Sequence, residues 1–193
     1  GEVASQMAVE TVADFFRKTT RHEEVTWPYK MEKGRRYEEN RLAAGIKLAN
    51  LRIHEMGVQN PEKKGMGTTL VALFFAGNTA YVGHVGDSRI YRLRGEELEQ
   101  VTRDHSWFAE LQASADALDA ETLSYAERYK NVITRALGMH ETVEVDVCCE
   151  PLREGDLYLL CSDGLHDMVD DARITGIILE HLDDLELCCE QLI

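Results

Sequence analysis

An apolar run in the last quarter of the sequence stops abruptly at two carboxylates. Leu157–Cys161 has the composition of a buried strand, and Ser162 and Asp163 follow it directly. Asp163 and Asp167 are four positions apart, so a helix that starts here places both carboxylates on one face. Hard divalent cations prefer oxygen ligands, and Mg²⁺ or Mn²⁺ would accept this pair with water completing the shell. The alternative is structural, because Ser162 or Asp163 is also a good helix cap and Asp167 suits a positive helix end.

A second group of polar residues lies around the predicted end of an earlier strand. Asp87 and Ser88 are typical of a turn between strands. Asp104 is placed to cap a helix, with Thr102 as a neighbouring alternative. His84 stands within an apolar strand, which favours a buried histidine with satisfied hydrogen bonds over a metal ligand. Taken locally, these residues predict structure rather than chemistry.

Several other chemistries are excluded by what the motifs lack. Residues 65–69, GMGTT, have no P-loop lysine, and His54 with Glu55 has no second histidine to complete a zinc-protease helix. There is no GxSxG elbow to supply a nucleophilic serine. The cysteines indicate reduced thiols rather than a disulfide framework or a metal site, since they are odd in number and include two adjacent pairs: Cys148, Cys149, Cys161, Cys188 and Cys189.

The elements that must position these residues are segregated along the chain. Helical periodicity covers residues 2–20 and 37–56, and later 106–113, 120–130 and the segment after 161. Strand-like runs cover 68–75, 79–85, 88–94, 98–101, 143–149 and 156–161, with Gly77-Asn78 and Gly95-Glu96 as hairpin turns. Segregated helices and strands predict an α+β layered domain rather than a doubly wound parallel sheet.

Charge and length narrow the function classes further. The chain has 193 residues, 21 basic and 35 acidic, for a net charge of −14. This balance argues against nucleic-acid binding, which needs a basic surface. No membrane span or signal peptide is visible, so we expect a cytoplasmic protein. A helical pattern begins directly at Gly1 and an apolar run is still open at Ile193, so we expect residues 1–193 to be one domain that is incomplete at both ends.

The order of five motifs changes the interpretation of the polar residues. Together they resemble a bacterial serine/threonine phosphatase of the metal-dependent protein phosphatase 2C family, and the similarity extends over essentially the whole chain. The motifs are GTT at 67–69, VGDSR at 85–89, DHS at 104–106, NVITRALG at 131–138 and CSDGL at 161–165.

The resemblance implies a fold and a set of metal ligands. The expected fold is a four-layer sandwich of two antiparallel β-sheets flanked by helix pairs, without the family's first and last strands. Asp163 matches the aspartate that binds a dinuclear Mn²⁺ or Mg²⁺ centre, and Asp104 and Asp167 match aspartates associated with a third, weaker metal. Two to three ions are therefore expected in the complete protein. The segment between Asp104 and Asn131 falls where the family carries its flap.

The same resemblance implies an activity and its alternatives. A water molecule that bridges the metals would hydrolyse phosphoserine or phosphothreonine on proteins, without a covalent enzyme intermediate. Expected partners are phosphorylated proteins, including a serine/threonine kinase and its substrates, and the expected state is a monomer. The first alternative is a catalytically impaired pseudophosphatase or regulatory domain that binds phosphoproteins. The second is a truncated interaction domain.

Overall fold

A computed structural model describes residues 1–20, 29–114, 122, 125 and 128–193 of the chain. Six α-helices occur in this part: α1 Glu2–Thr20, α2 Tyr37–Gln59, α3 Trp107–Ser114, α4 Asp163–His166, α5 Asp171–Glu180 and α6 Leu185–Leu192. A short 3₁₀ turn, Pro61–Lys63, follows α2. The strands are β1 Leu70–Ala76, β2 Thr79–Val85, β3 Arg89–Arg94, β4 Glu97–Gln100, β5 Asp146–Pro151 and β6 Leu157–Cys161.

The strands form two antiparallel sheets of three strands each, in the orders β1-β2-β5 and β4-β3-β6. The first hairpin turns at Gly77, with φ +57°, and the second at Gly95, with φ +63°, as the sequence predicts. The predicted strand 143–149 begins later, at Asp146, which pairs with His84. It has no partner before that point because β2 ends at Val85 and the chain turns away at Gly86.

Helices α1 and α2 cover one face of the first sheet. Gly83 lies beneath α2, and a Cβ atom at this position would be 2.9 Å from side-chain atoms of Ile46 and Leu42. The glycine therefore lets the helix approach the sheet closely. The core of this layer consists of apolar residues from both helices and the sheet, including Ala4, Ala8, Leu42, Ile46, Ile53, Tyr81 and Val85.

Helices α5 and α6 cover the outer face of the second sheet. Both helices begin at an aspartate cap: Asp170 accepts from the backbone N–H of Arg173 at 2.8 Å, and Asp184 from that of Leu187 at 3.0 Å. Their apolar sides pack on Leu93 of β3 to form a second core, with Ile174, Ile177, Ile178, Cys188 and Leu192. The order helix, sheet, sheet, helix confirms the predicted α+β sandwich.

The inner faces of the two sheets meet through polar as well as apolar contacts. Arg92 of β3 forms ion pairs with Glu150 of β5 and Glu99 of β4, and Tyr158 Oη donates to Glu150 at 2.8 Å. The ring of Tyr158 also lies 5.6 Å from that of Phe75 on β1. The predicted helix over 120–130 lies mostly outside the described residues, and residues 128–131 form a turn.

Candidate active site

A pocket of about 550 Å³ opens at one edge of the sandwich. Four carboxylates line it, from segments far apart in the sequence: Asp87, Asp104, Asp163 and Asp167. The structure therefore brings together the three predicted metal ligands, Asp104, Asp163 and Asp167, and adds Asp87, which local sequence patterns assigned to a turn. Their role as metal ligands stays a prediction.

Asp163 and Asp167 reach the pocket through the strand end that the sequence predicts. β6 pairs with β3 up to Cys161, opposite Arg89, and the single turn α4 then begins at Asp163. The backbone N–H of Asp167 donates to the Asp163 carbonyl at 2.9 Å, so the two side chains share one side of that turn. The capping alternative is wrong. Ser162 occupies the N-cap position but its side chain makes no capping hydrogen bond, and Asp167 stands at the C-terminal end of the turn, away from the positive pole.

Asp87 reaches the pocket because the chain turns sharply at Gly86. This residue has φ +111°, and a Cβ atom there would lie 2.3 Å from the Thr69 side chain. Only glycine fits both the left-handed backbone and this close approach. The Asp87 carbonyl is in contact with His166 Nε2 at 3.1 Å, which joins this turn to α4.

Asp104 is held by Arg89 rather than capping a helix. Arg89 donates to its carboxylate from Nη2 at 2.7 Å and from Nε at 3.0 Å, and Gln100 adds a contact at 2.9 Å. Helix α3 is capped instead by Ser106, whose Oγ accepts from the Ala109 N–H at 3.2 Å. The predicted capping roles of Asp104 and Thr102 are therefore wrong, since Thr102 Oγ1 accepts from the backbone N–H of Ile90.

The charges in the pocket are unevenly compensated. Asp167 accepts from Lys130 Nζ and Asn131 Nδ2, each at 3.1 Å, and these contacts lower its pKa although burial works in the opposite direction. Burial raises the pKa of Asp87, and the nearby charges of Asp163 and Asp104 raise it further. Within the described residues, the Asp163 carboxylate has no hydrogen-bond or ion-pair partner. Crowded carboxylates without full compensation are a suitable donor set for hard divalent cations.

A second polar cluster lies beside the pocket, and most of its polar groups are paired within the protein. His84, His105 and Asp146 place potential ligand atoms within 4.8 Å of one another. His105 Nδ1 accepts from the Gly86 N–H at 3.1 Å, which assigns its proton to Nε2, 3.2 Å from Asp146 in a poorly aligned contact. His84 Nε2 donates to the Arg103 carbonyl at 2.8 Å.

The geometry of this cluster disfavours a metal ion. The two imidazole rings stack at 4.6 Å with an interplanar angle of 25°, so their in-plane lone pairs do not converge. Among the ring nitrogens of these two histidines, His84 Nδ1 keeps a lone pair to which no described residue donates. The structure agrees with the prediction that His84 is a buried core histidine: it is 5% exposed, and its ring donates one hydrogen bond to the Arg103 carbonyl. His84 and Asp146 belong to the first sheet, and their contacts with Arg103 and His105 attach to that sheet the loop that contains Asp104.

Comparison with known proteins decides the family. The family model described as Protein phosphatase 2C matches residues 1–190. The chain belongs to the protein phosphatase 2C family. The serine/threonine phosphatase stp of Listeria innocua is 35% identical over 182 residues, which cover 92% of this chain and 66% of the Listeria protein. The chain thus spans about two thirds of the length of that relative.

Solved protein phosphatase 2C structures agree in fold. The serine/threonine phosphatase PstP/Ppp of Mycobacterium tuberculosis superposes with a TM-score of 0.78 at 32% identity, and the match covers 100% of this chain and 74% of that one. The catalytic domain of PstP in complex with two manganese ions gives a TM-score of 0.75 at 32% identity, with coverage of 100% and 73%.

Besides Asp87, three residues of the pocket were missed as functional candidates in the sequence. Arg89 lies within the VGDSR motif, and its position two residues after Asp87 was a usable signal because a strand residue at that point can face the same edge. Asn131 opens the NVITRALG motif. Lys130 carried no signal, since a lysine in a polar segment is usually a solvated side chain.

Among the described residues, no helix combines the length and the apolar composition that a membrane span requires.

Proposed function

We propose that this chain carries the metal site of a serine/threonine protein phosphatase that depends on Mn²⁺ or Mg²⁺. The observation that carries the proposal is the convergence of four carboxylates on one pocket, in a chain of the protein phosphatase 2C family. Among the residues that the structure describes, none pairs with the Asp163 carboxylate. The named relatives are serine/threonine phosphatases, and one neighbour holds two manganese ions. We infer two to three ions in the complete protein, with Asp163 at the principal centre and Asp104 and Asp167 at a further one.

The residues of the chain have distinct tasks in this proposal. Bound divalent ions would supply a water of lowered pKa and neutralise charge on the phosphoryl oxygens. Arg89 fixes the orientation of the Asp104 carboxylate, and His166 fixes the turn that carries Asp87. Arg103 and Lys130 place positive charge at the pocket, which favours the approach of a phosphate dianion.

The wider assignments follow from the activity. The substrates are phosphoserine and phosphothreonine side chains of proteins, which include a serine/threonine kinase and the proteins it phosphorylates. The protein acts as a monomer in the cytoplasm. The whole chain from 1 to 193 belongs to a single catalytic domain, which supplies these metal ligands.

The decisive experiment removes the unpaired carboxylate from the protein encoded by the full gene. With Mn²⁺ present, we expect hydrolysis of p-nitrophenyl phosphate and of phosphothreonine peptides. Asp163→Asn should reduce the rate at least about 100-fold, because even residues that only support a metal ligand are worth tenfold to 100-fold. Asp183→Asn makes the same chemical change at an exposed position outside the pocket and should leave the rate unchanged.

Two outcomes would contradict the proposal. Full activity of the Asp163→Asn protein would show that this carboxylate does not hold a required ion. Binding of phosphopeptides without hydrolysis by the unsubstituted protein, at any Mn²⁺ or Mg²⁺ concentration, would favour the phosphoprotein-binding alternative instead.

A further inference from the structure

The Asp167 carboxylate is already occupied by a cation of the chain itself. Lys130 Nζ lies 3.1 Å from Oδ1 and Asn131 Nδ2 lies 3.1 Å from Oδ2, so each oxygen accepts one hydrogen bond, and His166 Nδ1 lies further off, 3.9 Å from Oδ1. Both partners come from the turn at 128–131, whose last residue opens the NVITRALG motif, and Asp167 follows α4 on the other side of the pocket. These two contacts join the turn to α4.

A divalent ion and the Lys130 ammonium compete for the same charge. Two cations on one carboxylate repel each other, and the repulsion is stronger at a partly buried site than in water. We propose that Lys130 is a built-in competitor for the divalent ion at Asp167, so that cation binding there detaches the 128–131 turn from α4. This inference rests on the proposed function, since it takes Asp167 as a cation ligand.

The neighbouring ion pair shows why the contact at Asp167 is the one that yields. Arg89 binds Asp104 through two nitrogens, is itself part of strand β3, and donates from Nη1 to Tyr91 Oη at 2.8 Å. Lys130 makes one contact from a turn, and its side chain is 49% exposed. A bidentate arginine held by a sheet is a far more rigid partner than a single lysine on a turn. Asp104 therefore keeps its partner while Asp167 can exchange its own.

The same turn is connected to an indole that can report its position. The backbone N–H of Trp107 donates to the Val132 carbonyl at 2.9 Å, and the indole ring of Trp107 lies 6.1 Å from the ring of Tyr129. Tyr129 and Lys130 are adjacent in the chain, so a displacement of the turn changes the surroundings of Trp107. The inference therefore predicts a spectroscopic change on cation binding as well as a change in affinity.

The first test is a double-substitution cycle read out by calorimetric titration of the full-length protein with Mn²⁺. Lys130→Gln should tighten the weakest ion about fivefold, the scale of a partly exposed ion pair. Arg103→Gln removes a positive charge from the same pocket, but from a residue that makes no ion pair with Asp167. It should raise the affinity for the weakest ion less than twofold. In an Asp167→Asn background the Lys130→Gln effect should disappear.

The outcomes separate this inference from the proposed function. If neither the unsubstituted nor the Lys130→Gln protein binds Mn²⁺, the metal function is overturned and this inference with it. If Mn²⁺ binds but Lys130→Gln has no more effect than Arg103→Gln, or the same effect without Asp167, competition is overturned while the function stands.

The second test follows Trp107 emission during titration with Mg²⁺, which does not quench fluorescence as Mn²⁺ does. The Trp107 contribution is the difference between proteins with and without Trp107→Phe. We expect Mg²⁺ to change this contribution in the unsubstituted protein. The Lys130→Gln protein should show the changed emission before Mg²⁺ is added. Identical emission in both proteins, with and without Mg²⁺, would overturn the detachment of the turn.

Discussion

Two neighbouring polar clusters at the end of β2 have opposite characters. Asp104 and His105 are adjacent in the chain, yet Asp104 faces the carboxylate pocket while His105 is buried at 2% exposure against His84 and Asp146. Gly86 contributes to both clusters. Its backbone N–H donates to His105 Nδ1, and its left-handed backbone conformation places Asp87 at the pocket. The loop with Asp104 and His105 therefore contributes one residue to the carboxylate pocket and, with the next residue, is fixed to the first sheet.

The difference lies in how completely each cluster satisfies its own polar groups. In the buried cluster, Arg135 Nη1 donates to Asp146 at 2.9 Å and both histidines have backbone partners. Although burial acts against ionisation, Arg135 and His105 hold the pKa of Asp146 below its usual value. In the pocket, burial and neighbouring carboxylates raise the pKa of Asp87, and Asp163 has no partner within the described residues. Polar groups that are satisfied internally stabilise the fold, whereas unsatisfied ones are open to a ligand.

The largest effect expected from this comparison is on folding stability. His105→Ala removes a buried ring and leaves the Gly86 N–H without its acceptor, so the free energy of unfolding should fall by about 2–4 kcal/mol. His140→Ala makes the same substitution at an exposed position and should change it by less than about 0.5 kcal/mol. Urea denaturation of the three proteins measures the difference. A loss below about 1 kcal/mol for His105→Ala would remove the structural interpretation of the cluster.

The next effect is a dependence of stability on pH. Burial lowers the pKa of both His84 and His105, and for His105 the neighbouring His84 and Arg135 lower it further. Because the unfolded chain protonates its histidines near pH 6.5 while the folded chain resists, the unfolded state binds more protons and stability falls as the pH drops below about 6.5. The slope cannot exceed about 1.4 kcal/mol per pH unit for each histidine.

Denaturation midpoints between pH 7.5 and 5 test this directly. His84→Gln removes one of the two titrating groups and should make the slope shallower, whereas His140→Ala should leave it unchanged. Asp146 stays ionised throughout this range because its pKa is lowered, so it does not contribute. If stability changed with pH equally in the His84→Gln and unsubstituted proteins, the folded chain would not resist protonation of His84, and this explanation of the pH dependence would be wrong.

The sequence predicts the elements well and the partners of side chains poorly. Strand β2 and helix α1 occur with the predicted bounds, because a run rich in β-branched and aromatic residues and a helical apolar period are both local signals. Three of the four pocket aspartates, Asp104, Asp163 and Asp167, were found through motifs in a shared order, whereas Asp87 was assigned to a turn. The partners of Asp104 and Asp167 were not found, since the pairs Arg89–Asp104 and Lys130–Asp167 depend on how β3 and the 128–131 turn lie in space. The capping roles of Asp104 and Ser162 failed because capping preference is local, whereas these side chains lie at a pocket built from four distant segments.

The smallest expected effect is the sharpest test of the comparison. In the presence of a chelator, Asp163→Asn removes a charge that no described residue compensates and that disfavours ionised Asp87. The free energy of unfolding should therefore stay within about 0.5 kcal/mol of the unsubstituted value or rise slightly. Asp146→Asn makes the same change in the satisfied cluster and should cost about 0.5–1 kcal/mol, since its pair with Arg135 is partly exposed. Thermal unfolding of both proteins measures the two values. Equal losses would mean that Asp163 has a compensating partner in the fold, and the physical reason for placing a cation beside it would be lost.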